Sequence, residues 1–265
     1  ALQALGLSPT VCHINEGHAA FLTLERIRQY MESGGLSFQE AFEICWPSNV
    51  FTTHTPVPAG NERFNTHLMQ KYLGGYVENL GLSWNEFLAM GREDPANQGE
   101  EFCMTVLALK MCARSNGVSR LHGSVSRKMW QNIWPGLNQE DIPITSITNG
   151  IHGRSWVSHE QANLFHKYLG EAFIDEPLNV ESWKGIDTIP DAALWELRDV
   201  RREKLVNFAR KRLRVQFARR KLSPFEINIA DEVLDPKALT IGFARRFATY
   251  KRAYLLLREP DRLAG

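Results

Sequence analysis

Short apolar runs alternate with stretches of helical period along most of the chain, and that alternation predicts its elements. Residues 10–14 form a run short enough for a buried strand. Phe21, Leu24 and Ile27 then recur at helical spacing over 19–30. Ser33-Gly-Gly35 stops that helix, and Ser37 with Glu40 forms a capping box that opens the next, through Cys45. Residues 49–53 are β-rich and end in His54-Thr-Pro-Val-Pro-Ala-Gly60, a turn stiffened by two prolines. Helical patterns follow over 64–80, 84–90 and 101–114. Ser115-Asn-Gly117 reads as a break, 118–130 is helical again, and 143–148 is a strand running into Asn149-Gly150.

The second half opens with mixed helices. Residues 191–222 predict one long basic helix, with eleven Lys or Arg against four Asp or Glu, and Leu194, Leu197, Leu205 and Phe208 as its apolar side. Ser223-Pro224 ends it. Residues 238–244 then read as a buried strand and 249–257 as a helix. Strands alternating with helices predict an α/β fold with a largely parallel sheet. The domain boundary is placed at 150–156.

Composition narrows the class. Apolar residues make up 43% of 265 and charged residues 23%, as in water-soluble globular domains. A net charge of +1 gives no overall field towards nucleic acid or an anionic membrane, and no apolar run reaches the length of a membrane span. Cys12, Cys45, Cys103 and Cys112 lie in apolar contexts without a C-x-x-C pair, which argues for reduced thiols in a cytoplasmic protein and against structural zinc. The first residues lack an initiator Met and the basic region of a signal peptide. Both ends look cut, so a piece of a longer polypeptide is expected.

Unusual polar clusters sit just after the predicted strands, where ligands bind in open α/β sheets. The first is His13-Ile-Asn-Glu-Gly-His18. It reads either as a turn capping the next helix or as a polar wall for a hydroxylated ligand; its spacing is not that of an H-E-x-x-H metal site. Next comes Thr52-Thr-His-Thr-Pro-Val-Pro58, whose fixed His54 suits a sugar hydroxyl or a purely structural bond. Ser115-Asn-Gly-Val-Ser-Arg-Leu-His122 is either a simple helix break or a pocket border. Ile147-Thr-Asn-Gly-Ile-His-Gly-Arg-Ser-Trp156 contains a tight turn after a strand. Last, the expected strand 238–244 ends in Arg245-Arg-Phe-Ala-Thr-Tyr-Lys-Arg252. Strand, basic turn and helix start would combine guanidinium and ammonium charges with free backbone N–H groups, a layout suited to phosphate. The plainer reading is a solvated basic cluster.

These five motifs, in this order over about residues 10–257, resemble the α-glucan phosphorylase family, and their spelling is closer to its short bacterial and archaeal members. The resemblance implies a GT-B architecture of two facing Rossmann-like domains. Residues 1–150 would be the C-terminal part of the first and 151–265 the beginning of the second. It implies reversible transfer of glucose between an α-1,4-glucan and inorganic phosphate, giving α-D-glucose 1-phosphate with pyridoxal 5′-phosphate as cofactor.

Roles then carry over to matching positions. Arg246 and Lys251 would hold the substrate phosphate, Arg245 the cofactor phosphate, and Trp156 would line the cofactor pocket. Arg245 stands where animal members more often have Lys. His54 would face the transferred glucose and Asn149 its 6-hydroxyl. Glu16 and His18 would join the hydrogen bonds around the sugar, with Asn116 and Val118 at the pocket border. No metal, nucleic acid or membrane partner is expected, and the family leaves room for a homodimer. The Gly-rich segment carrying the cofactor lysine is not in this sequence, so the 265 residues alone are expected to be inactive. Two rivals remain: a glycogen synthase-like sugar-nucleotide transferase, and a non-catalytic glucan-binding module using Trp130, Trp134, Trp183 or Trp195. The long basic helix as a nucleic-acid surface is set against a solvated face.

Overall fold

The structure, a computed structural model, describes residues 2–264. Packing divides the chain into two compact units, Ala1–Gly150 and Ile151–Gly265.

The first unit contains β1 (Cys12–Asn15), α1 (Phe21–Gly34), α2 (Phe38–Cys45), β2 (Asn49–Thr53), β3 (Arg63–Phe64), α3 (Thr66–Glu78), α4 (Trp84–Met90), β4 (Phe102–Cys103), α5 (Met104–Met111), β5 (Arg114–Gly117), α6 (Arg120–Met129) and β6 (Ile144–Ser146). Strands β1, β2, β5 and β6 lie side by side in that order, every pair parallel. A parallel sheet needs covered faces, and the helices between its strands supply them. The α/β fold with a parallel sheet expected from the sequence is therefore present. Strands β3 and β4 form a separate antiparallel pair.

Local signals explain several boundaries. The Ser37–Glu40 capping box opens α2, and a second, Ser83 with Glu86, opens α4. Gly35 ends α1 in the left-handed conformation that glycine adopts without a Cβ penalty. Helix α5 is apolar on nearly every side and buried almost throughout, as a helix crossing the core must be. The core gathers Ile14, Leu24, Phe51, Phe87, Phe102, Leu107 and Trp130.

Two expectations change here. The helix expected over 101–114 is shorter, framed by β4 and β5. Ser115-Asn-Gly117, read as a break, is the C-terminal part of β5, one of the two inner strands of the sheet. Its residues have little β-propensity; pairing with β2 on one side and β6 on the other overrides it. Burial of Cys45, Cys103 and Cys112 pushes their thiols up, Cys112 to about 12. All four cysteines are free.

Glu25 ties two helices of this unit. Its carboxylate accepts from Arg28 Nε at 2.7 Å, from Gln29 at 2.9 Å and from the Tyr76 hydroxyl of α3 at 3.3 Å. The Arg28 bond leads in lowering its pKa to about 2, against 4.5 for an ordinary Glu. A carboxyl depressed by folding adds stability above its unfolded pKa and loses it as pH falls through the folded one. The contribution is thus present above about pH 4.5 and disappears towards pH 2. Urea midpoints at pH 6 and pH 3 are expected to differ less in Glu25→Gln than in the parent, and equal differences would refute the assignment.

The second unit contains α7 (Gly153–Trp156), α8 (His159–Leu169), α9 (Ala172–Asp175), α10 (Asp191–Arg219), α11 (Pro224–Ile229) and α12 (Pro260–Ala264). Phe165, Phe173 and Trp183 pack edge to face, with centroids 5.6–6.4 Å apart. The long basic helix stops at Arg219, three residues short of the expected 222, with Lys221 in the left-handed region, and Ser223 caps α11 through a third box with Glu226. Trp130 is buried and Trp134 packs against the core, whereas Trp195 stays 65% exposed.

The expected strand over 238–244 is not formed. Those residues are exposed and irregular, and no strand is described in this unit. An apolar run becomes a buried strand only beside partner strands, because its backbone groups otherwise need water. The helix expected over 249–257 is two short 3-10 turns, Thr249–Lys251 and Ala253–Leu257, separated at Arg252 in the left-handed region.

Candidate functional site

All four strands of the main sheet point the same way, so their carboxyl ends share one edge. Register places Asn15 beside Thr52, Thr52 beside Asn116, and Asn116 beside Thr145. A directional relay links part of this row. Asn116 Oδ1 accepts from the Thr52 hydroxyl at 2.9 Å. Thr52 has then used its proton, so its 2.7 Å bond with His13 Nε2 is one in which the ring N–H donates. The Asn116 amide in turn donates to the Gly117 carbonyl at 3.1 Å. Thr52 and Asn116 are buried and their hydrogen bonds are internal, which makes this part of the edge rigid.

Beyond the row, the loops carry most of the sequence-derived candidates. The His54 main-chain N–H donates to the Glu16 carboxylate, and its ring Nε2 donates to Asn15 Oδ1 at 3.1 Å. A neutral ring so placed keeps Nδ1 as an acceptor. The ring is exposed, and Pro56 and Pro58 stiffen the chain after it. His18 pairs with Glu62 at 2.8 Å on the surface. Val118 is clamped on both sides: its N–H donates to His122 Nδ1 at 3.2 Å and its carbonyl accepts from the Asn149 N–H at 3.1 Å. Glu16, His54, Asn116, Val118 and Asn149 thus belong to one network of strand-end loops. Its members His13, Asn15 and Thr52 lie within the clusters read from the sequence but were given no individual role there. The signal for Asn15 and Thr52 is the register of β1 on β2, and the pairing of Thr52 with Asn116 is visible only once β5 is recognised as a strand.

Glu16 holds φ 59° and ψ 170°, a region that glycine alone visits easily. The next residue shows why the chain turns so sharply: a Cβ at Gly17 would lie 2.9 Å from Thr105 N at the start of α5. The strain at Glu16 costs about 1–3 kcal/mol, and its charge-assisted bond to His54 returns about 1.5–3 kcal/mol. Glu16→Gly relieves the one and loses the other, so its unfolding free energy is expected within about 1 kcal/mol of the parent. Glu16→Ala keeps the strain and loses the bond, and is expected to cost about 1.5–3 kcal/mol. Equal denaturation midpoints for the two variants would refute this account.

The second unit's candidates are described separately. Trp156 ends α7 and is 82% exposed, and the Arg154–Asp175 ion pair at 2.5 Å ties α7 to α9. Arg245 and Arg246 are exposed; the Arg245 guanidinium donates to its neighbour's carbonyl, Ala244 O, at 3.2 Å. Lys251 Nζ lies 4.6 Å from the Tyr250 ring centroid. The expected anion site at a strand-to-helix junction is not built here: with neither strand nor α-helix, no aligned N–H groups or helix dipole support these cations. What remains is their full charge.

The α/β unit with its parallel sheet agrees with sequence comparison. The family described as carbohydrate phosphorylase matches residues 7–232, and the chain belongs to it. It is 39% identical over 264 residues to maltodextrin phosphorylase of Thermococcus litoralis, covering 99% of this chain and 30% of that protein. It is 41% identical over 262 residues to glycogen phosphorylase of Mycobacterium tuberculosis, covering 96% of this chain and 30% of that one. Glycogen phosphorylase of Aquifex aeolicus is 30% identical over 262 residues, with 99% and 37% covered. The chain thus spans about a third of the length of these curated relatives.

Proposed function

We propose that this chain supplies the strand-end sugar contacts and part of the phosphate site of an α-1,4-glucan phosphorylase. The reaction would move glucose between a maltodextrin or glycogen chain end and inorganic phosphate, giving α-D-glucose 1-phosphate. The observation that carries this reading is the hydrogen-bonded row Asn15, Thr52 and Asn116, with His54 and Asn149 in the loops above it. Rigid polar groups on one sheet edge can hold sugar hydroxyls while an oxocarbenium-like centre develops. His18 would extend these contacts at the rim.

In a two-domain GT-B arrangement, residues 1–150 would form the end of the first Rossmann-like domain and 151–265 the start of the second. Arg246 and Lys251 are assigned to the substrate phosphate, where two full charges offset the repulsion of a second phosphate. Arg245 and the exposed Trp156 ring have the chemistry to receive the phosphate and one wall of pyridoxal phosphate. Pyridoxal phosphate held there would supply a phosphate group able to exchange a proton with the substrate phosphate. Among the described residues no helix is long and apolar enough to cross a membrane, and the four free thiols accord with a reducing, cytoplasmic setting.

A phosphorolysis assay on the polypeptide that carries this sequence tests the reading. Glucose 1-phosphate should form from maltodextrin only when phosphate is supplied. Transfer from ADP-glucose or UDP-glucose instead would favour the synthase-like alternative, and glucan binding without either reaction would favour a binding module. The 265 residues alone are expected to show neither phosphorolysis nor a stable cofactor absorbance band at one equivalent.

A further inference from the structure

His122 lies in the first turn of α6, is 8% exposed, and carries no role in the reading above. Its ring makes one protein hydrogen bond among the described residues, accepting the Val118 N–H on Nδ1 at 3.2 Å. An accepting Nδ1 carries no proton, so the neutral ring bears its proton on Nε2, which is buried without a protein partner. The ring cannot retreat from Val118. Ser119 caps α6 by accepting from the His122 N–H at 3.1 Å, and Gly117 lets the ring come close: a Cβ there would stand 2.9 Å from Nδ1. On the other side of the same residue, the Val118 carbonyl receives the Asn149 N–H.

We infer that His122 is a positioning residue for the sugar site: it fixes the Val118 main chain, and through it the Asn149 turn, without touching the substrate. This rests on the assignment of Asn149 to a sugar hydroxyl. The connection runs through two hydrogen bonds and one peptide-bearing residue, and spans the ends of β5 and β6. Loss of the first bond frees Val118 to rotate, and the loop bearing Asn149 loses its anchor.

Two variants separate this from a simple packing role. The amide oxygen of Asn stands where Nδ1 stands, whereas the amide of Gln stands where Nε2 stands. His122→Asn therefore keeps an acceptor for Val118, and His122→Gln does not. In His122→Gln the Val118 and Asn149 amides are expected to exchange with solvent about tenfold faster than in the parent. In the polypeptide carrying this sequence, KM for glucan is expected to rise about tenfold with kcat little changed, the pattern of lost uniform binding. His122→Asn should restore both. Equal behaviour of the two variants, in either direction, would overturn the inference.

If His122→Gln does not fold, the parent's ring tautomer by nitrogen NMR decides: a proton on Nε2 is expected, and one on Nδ1 overturns the proposal. A parent without phosphorolysis would refute the glucan reading alone, because amide exchange and tautomer still test the anchor.

Discussion

Phe102→Ala is expected to lower the unfolding free energy of the first unit by about 3–5 kcal/mol, the range for deleting a fully buried aromatic ring. Phe102 is 1% exposed and stacks on Phe87 of α4 at 5.1 Å and on Phe21 of α1 at 6.0 Å between centroids. Phe87 in turn contacts Trp84 at 5.3 Å. The backbone is fitted to the ring as well. A Cβ on Gly91 would lie 2.4 Å from it, and Cys103 N–H donates to the Gly91 carbonyl at 2.7 Å. Removal of the ring leaves a cavity bordered by two helices and the β3–β4 pair, whose backbone is tied at both ends and cannot collapse into it. The loss is a large share of a typical domain stability of about 5–15 kcal/mol. Urea unfolding followed by tryptophan fluorescence would read it, and a loss below about 1 kcal/mol would contradict the cavity argument.

The sequence conveyed this unit unevenly, for physical reasons. Strands 12–15 and 49–53 and helix 84–90 were legible because their apolar residues face a core that exists wherever such patterns fold. Arg114-Ser-Asn-Gly117 was not. It is a strand only because two neighbours pair with it, and its Asn116 side chain serves the edge network, so local propensity and tertiary role disagree. Such disagreements concentrate at functional sites. His54 and Asn149 were visible as polar residues after strands, but the Thr52–Asn116 relay that stiffens their surroundings needed the register.

The second unit shows the converse. An apolar run over 238–244 carries strong strand propensity, yet its residues are exposed because no sheet lies beside them. Propensity specifies what a segment prefers when a partner is present and does not supply the partner. The charge of Arg245, Arg246 and Lys251 was legible, whereas their backbone setting depends on elements beyond the segment itself.

On the proposed function, His54→Ala in the polypeptide that carries this sequence is expected to reduce kcat/KM for phosphorolysis by about 100-fold, the scale for losing one preorganised polar group at a reacting sugar. The argument starts from the backbone. Asn15 and Glu16 at the end of β1 grip the ring and the main-chain N–H of His54 at the end of β2, so the side chain is fixed by the neighbouring strand. With Nε2–H committed to Asn15, Nδ1 is left as an acceptor, the group that the proposed function assigns to a sugar hydroxyl. The ring is exposed and contributes little to the core, so Ala at 54 should leave the melting temperature nearly unchanged. A loss of activity would then report on the site and not on folding. His54→Asn retains an acceptor where Nδ1 stands and is expected to recover part of the loss. His54→Gln keeps a donor towards Asn15 without that acceptor, and should remain close to Ala. Wild-type rates in His54→Ala would remove this ring from the sugar site, whatever the family resemblance suggests.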